Sequence, residues 1–202
     1  MKFPPSCPGD PRTWFAFSLA AASGLLLFCA FPPLNQGELA FIALYPFVWA
    51  LRILPRARCR LAFLTGLTFW LPSLWFLSQV TVAGSVLLSV YCALYWIPLG
   101  WIWGGFLRKW SPDRPLLSLR FVLGGAGVWC ILELLRGTLL TGFPWNQLGV
   151  SQWQNYSLMQ LAALGGVTLL SFLLVSLNLG IALSLLGLFE NMGKHHPRRM
   201  HP

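Results

Sequence analysis

The chain has 202 residues, of which 56% are hydrophobic, 15% aromatic and only 9% charged. Soluble domains carry about 25% charged residues, so this composition cannot cover a water-facing surface, and disorder needs a low hydrophobicity that the chain does not have. The net charge of +9 does not mark a nucleic-acid partner, because Lys and Arg fall between apolar runs, where they set topology and attract anionic lipid.

A bilayer crossing takes about 20 apolar residues. Six apolar runs follow one another, and they predict an all-α, polytopic membrane protein with both termini cytoplasmic. The first run, Trp14–Phe31, follows Lys2 and Arg12 and is too long for a cleavable signal core. It is read as a retained helix closed by Pro32-Pro33. The second, Leu39–Leu54, is short and holds Pro46, and the third, Leu61–Leu77, holds Pro72. The fourth, Val82–Leu107, is expected to kink near Pro98. The fifth runs from about Leu116 to Leu135 and the sixth from about Leu158 to Leu188. Residues 1–13 then form a cytoplasmic N-terminal segment, 14–189 the transmembrane domain and 190–202 a basic cytoplasmic tail.

Charge supports the count. With the N-terminus inside, every Lys and Arg except Arg136 falls on the cytoplasmic side: Arg52 to Arg60 after span two, Arg108 to Arg120 around the start of span five, and Lys194, Arg198 and Arg199 in the tail. A wrong count would scramble this alternation. The outer loops carry no basic residue after Arg136. The longest of them, 137–156, mixes aromatic, glycine and amide residues and suits an interfacial loop anchored by Trp145 and Trp153.

Glu133 and Arg136 stand on one face of the fifth helix, with Glu133 about 20 Å along the axis from Arg120. Ionisable groups at that depth pair with each other to lower their insertion cost, or act on a lipid headgroup or partner. Both readings stand at this level, and the planar guanidinium of Arg136 suits a phosphate. Asn178 lies within the sixth run, where an amide is expected to bond to a neighbouring helix, as are Ser171 and Ser176. The glycine pairs 104–105, 124–125 and 165–166 permit close helix approach or bending.

A complete catalytic set is not found. The histidines, His195, His196 and His201, sit in the last eight residues, which leaves none for a membrane or outer-face triad. The lysines, Lys2, Lys109 and Lys194, lie away from any acid and thiol that would complete a Glu-Lys-Cys set. The five cysteines have no metal spacing and are expected to be free thiols. No cofactor or metal is expected.

The run Trp129–Gln152, WCILELLRGTLLTGFPWNQLGVSQ, closely resembles the signature of bacterial apolipoprotein N-acyltransferases, carried by Trp129, Glu133, Arg136, Gly137, Thr141, Gly142, Phe143, Pro144, Trp145, Leu148, Gly149, Ser151 and Gln152. Weaker agreement at Phe31-Pro32-Pro33, Gly66, Trp75, Gln160 and Asn178 extends it over most of the chain. The resemblance implies an inner-membrane enzyme that moves a phospholipid acyl chain, through a cysteine thioester, to the N-terminal cysteine amine of a lipoprotein. It further implies that the Glu, Lys and Cys of that chemistry belong to a nitrilase-like domain lying between the seventh and eighth helices. This chain stops after its sixth run, so no catalytic role carries over. The expectation is a truncated or split membrane portion, with phospholipid donor and lipoprotein acceptor as partners and a separate nitrilase-like chain as a candidate third. Arg136, Phe143, Trp145, Glu133 and Gln152 are the expected lipid or substrate contacts. The alternatives are a non-enzymatic membrane scaffold or decayed gene product, and a small transporter. Against transport stand the lack of an inverted repeat and of a mid-membrane charge cluster.

Overall fold

Helix starts follow local chemistry. Asp10 accepts a hydrogen bond from Arg12 N (3.0 Å) and Pro11 fills the first turn, opening α1 (Pro11–Cys29). Thr81 caps α4 (Val82–Leu94) in the same way, and Pro115 opens α6 (Pro115–Thr138). The remaining helices are α2 (Tyr45–Ile53), α3 (Arg58–Ser73), α5 (Trp96–Leu107), α7 (Tyr156–Met159) and α8 (Ala162–His195). The computed structural model describes residues 10–195, and among them there is no strand. The expected charges at Lys2, Arg198 and Arg199, and His196 and His201, lie outside the described residues.

Among the described residues, four helices are long and apolar enough to cross a membrane: Pro11–Cys29, Val82–Leu107, Pro115–Thr138 and Ala162–Met192. They correspond to the first, fourth, fifth and sixth runs. The second and third runs instead form the pair Gly37–Ile53 and Pro55–Ser73, bent by 110°, which raises the number to five if counted as one span. The second and third runs differ from the other four for a local reason. The second run divides into a 3-10 turn, Gly37–Phe41, and the nine-residue α2, with Pro46 in the first turn of α2. Proline is tolerated there, but it cannot extend a helix backwards. The same steric rule moves the break in the fourth run. Its helix ends at Leu94, the residue whose carbonyl the Pro98 ring would strike, and restarts at Trp96.

A break inside a buried apolar run leaves backbone groups that apolar surroundings cannot satisfy. Asn178 of α8 supplies partners: its Oδ1 accepts from Leu44 N (2.9 Å) and its Nδ2 donates to Ala40 O and Leu174 O (both 2.8 Å). Ser23 of α1 donates to Ala43 O (2.5 Å). Asn178 and Ser23 thus bond to a neighbouring segment, as anticipated for Asn178, whereas Ser176 Oγ, expected to do the same, has no hydrogen-bond partner.

The helices share one core. It includes Ala16, Leu27, Phe47, Leu61, Trp70, Trp103, Ala126, Leu174 and Leu183. Helices α1 and α3 approach closely because Gly24 has no Cβ, which would strike the Thr68 hydroxyl and Thr65 carbonyl. Of the expected glycine pairs, 165–166 breaks the start of α8 (Gly166 φ 67°), Gly104 lies against Arg58, and nothing approaches Gly124.

Contacts define two ends of the bundle. At one, Arg52 holds Glu190 (2.6 Å) and Leu107 O (2.5 Å) beneath Trp110, and Arg58 lies over Trp101. At the other, the loop after α1, the end of α6 and the 139–155 loop meet through Gln152–Gly37 and Trp153–Asn35 bonds. Arg52 and Arg58 therefore gather at the end opposite Arg136, the grouping that the charge pattern anticipated.

Candidate functional site

The site grows from the last turns of α6. Glu133 and Arg136 are one turn apart and buried, with 6% and 4% exposure. The helix stops at Thr138, and the chain turns back through Leu140 (φ 50°) and Gly142 (φ 75°). Phe143 N then donates to Arg136 O (2.8 Å), which returns the loop to the helix end.

Arg136 holds that loop by its backbone. Its Nη1 donates to Phe143 O and Trp145 O, each at 2.6 Å. The guanidinium carbon stands 4.7 Å from the centre of the Trp70 ring, a cation–π contact from α3. Glu133 grips the next stretch, since its Oε1 accepts from Leu148 N (2.7 Å). Both side chains direct these bonds to the loop rather than to each other. Their one-turn spacing is what lets a single helix face reach two points of the same loop.

Farther along, Gly149 N donates to Ser171 Oγ of α8 (2.9 Å), and Ser151 Oγ donates to Leu148 O (2.7 Å). Gly149 lies so close to α8 that a Cβ would strike Val167 O. Gln152, 2% exposed, donates from Nε2 to Gly37 O (2.7 Å) and to Ser151 Oγ (3.0 Å). Side chains from α6 and α8 thus satisfy irregular backbone that would otherwise be costly next to hydrocarbon.

Phe143 and Trp145 differ from these three residues. The Phe143 ring lies against Trp70 (6.1 Å) and stacks on Trp145 (5.7 Å, 16°). Trp145 in turn stacks on Phe76 (5.6 Å, 13°). Trp145 and Phe76 are 51% and 49% exposed, and Trp75, Leu139 and Leu140 beside them in sequence are exposed too. The row runs from the buried Trp70 to an open aromatic shelf. Behind it lies a cavity of about 40 Å³ bordered by Trp70, Cys92, Trp129, Glu133, Arg136 and Asn146.

Glu133, Arg136, Gln152, Phe143 and Trp145 therefore fall into two sets around one loop. Glu133, Arg136 and Gln152 are buried backbone clamps, and Phe143 and Trp145 belong to the shelf. Arg136, whose guanidinium suits a phosphate, is instead turned inward to two loop carbonyls. Trp70 and Phe76 were not selected, because an aromatic in an apolar run carries no mark of its partner. The four described cysteines are free, and no metal-binding group of His, Cys, Asp or Glu occurs among the described residues.

Residues 23–180 match the profile of the apolipoprotein N-acyltransferase N-terminal domain. The chain is similar to the apolipoprotein N-acyltransferase of Geobacter metallireducens, at 34% identity over 174 residues, which are 80% of this chain and 32% of that protein. It is 33% identical to that of Pseudomonas putida over 174 residues, 80% of this chain and 33% of the relative. For Pseudomonas paraeruginosa the identity is 32% over 191 residues, 88% and 36% of the two chains. The chain thus spans about a third of the length of these relatives.

Proposed function

The chain belongs to the apolipoprotein N-acyltransferase family, which it matches through the N-terminal domain, and from that membership we propose that it is the membrane-embedded, lipid-binding portion of such an enzyme. The reaction would carry an acyl chain from a phospholipid to the N-terminal cysteine amine of a lipoprotein. The catalytic Glu, Lys and Cys would come from outside the region described, either from further sequence or from a separate nitrilase-like chain. The bacterial inner membrane is the proposed location, with six crossings, both ends cytoplasmic and the Arg136 end at the outer face.

The observation that supports this reading best is the aromatic shelf Phe143–Trp145–Phe76, fixed at one end of the bundle by the Arg136 and Glu133 clamps. Flat apolar rings beside an interfacial loop suit acyl stems just below a headgroup. Phe143 and Trp145 would touch lipid, and Glu133, Arg136 and Gln152 would hold them in place.

The test is photolabelling. The protein is reconstituted in vesicles of phosphatidylethanolamine bearing a diazirine near the acyl carbonyl, irradiated, and mapped by peptide mass. Adducts are expected to concentrate on Phe76, Phe143 and Trp145 and to fall several-fold in Trp145→Ala. Labelling of the shelf no greater than that of Trp14 and Trp101, which are more open at 69% and 59%, would overturn the reading.

A further inference from the structure

We infer that the cavity behind the loop is a water-binding site within the membrane domain, with Glu133, Trp129 and Trp70 as its ligands. Three buried polar atoms on its wall make no well-aligned hydrogen bond: Glu133 Oε2, Trp129 Nε1 and Trp70 Nε1, the Trp129 indole lying beside the Glu133 carboxylate. Each belongs to a residue more than nine-tenths buried, with exposures of 6%, 8% and 2%. Buried polar groups in native proteins are partnered, by ordered water where protein does not reach them.

Size and charge select the ligand. The space of about 40 Å³ admits about three or four water molecules, each needing roughly 10–15 Å³ of such volume. Glu133 and Arg136 border it together, so opposite charges face the space and neither a free cation nor a free anion is favoured. The Arg136 guanidinium already occupies the face of Trp70, which removes the cation–π position an ammonium group would use. The unmet groups are one acceptor and two donors. Water can donate to Oε2 while accepting from an indole N–H, so a short water chain satisfies all three.

The site has a consequence for the loop. Glu133 Oε1 is engaged by Leu148 N, and water on Oε2 completes the solvation of that carboxylate without drawing the other oxygen away. The inference is independent of any acyl transfer.

The experiment is X-ray radiolytic footprinting of the intact protein in lipid nanodiscs in 18O-labelled water, because radicals formed from bound water oxidise the side chains beside it. Trp103 is the internal reference: it is fully buried, its Nε1 donates to Gly125 O (3.3 Å), and it does not border the cavity. Trp70 and Trp129 are expected to oxidise about fivefold faster than Trp103, because radicals formed from water in the cavity arise beside their rings. Trp129→Phe, which removes one donor but keeps a ring, should lower the oxidation of Trp70. Oxidation of Trp70 and Trp129 at the rate of Trp103 in the wild-type protein would overturn the site, and that result needs no variant to fold.

Discussion

Asn178→Leu tests how the break in the second apolar run is tolerated. The substitution keeps side-chain size but removes three hydrogen bonds of 2.8–2.9 Å, to Leu44 N, Ala40 O and Leu174 O. Leu174 O lies inside α8, where the helix ladder already serves it. Leu44 N and Ala40 O flank the break and lose the amide that joins them. A buried group left without a partner costs about 1–3 kcal/mol. Interhelical bonds in membranes are weaker, averaging about 0.6 and reaching about 1.7 kcal/mol, because the unfolded state in the bilayer also finds partners. Two groups taken between these scales give an expected loss of about 2–4 kcal/mol. Reversible unfolding in mixed detergent–SDS micelles reads this as a shift of the midpoint. Ser184→Ala is the control: its exposed hydroxyl bonds only to Gly180 O one turn back (2.8 Å), and its change should stay within about 0.5 kcal/mol. A loss below about 1 kcal/mol for Asn178→Leu would mean that the break is satisfied without the amide, and the reasoning fails.

Two further substitutions probe the loop and the opposite end. Gly142→Ala places a Cβ at φ 75° and against Gly137 O; it should cost about 1–3 kcal/mol and raise hydrogen exchange at the Phe143 amide, measured by mass spectrometry, with unchanged exchange as the refuting result. A double-mutant cycle on Arg52 and Glu190, whose side chains are 25% and 32% exposed, should give a coupling of only about 0.2–1 kcal/mol that shrinks with salt. Arg52→Ala alone should cost more than Glu190→Ala, because Arg52 also serves Leu107 O, and equal costs in thermal unfolding would contradict that.

The helical class and the outer spans were legible because hydrophobic length and charge alternation are local signals. α1, α4 with α5, α6 and α8 fall where the apolar runs lie, within a few residues. The second run was legible as apolar, with Pro46 marking where a helix can start, but the amide that serves the break was not, since Asn178 lies 134 residues from Leu44. The site divides in the same way. Glu133 and Arg136 were conspicuous because ionisable groups are rare in such runs, and the loop was conspicuous by composition. That Arg136 would turn inward to Phe143 and Trp145 carbonyls was not legible, since it depends on the reversal at Leu140 and Gly142. Gln152 meeting Gly37, and Trp70 lying beneath Arg136, are tertiary facts that leave no mark on either residue's neighbours.

Several bonds that reach far along the chain join early segments to ones made much later. Gly37 waits for Gln152, Ala40 and Leu44 for Asn178, and Arg52 for Glu190. During synthesis the first three segments therefore leave the ribosome well before the partners that complete them. Until α8 arrives, the open carbonyls and amides around Leu44 need the translocon or another insertion factor as a temporary partner. An arrest of translation ahead of residue 178 would leave a chain whose second segment has no settled depth in the bilayer, a ready substrate for membrane quality control.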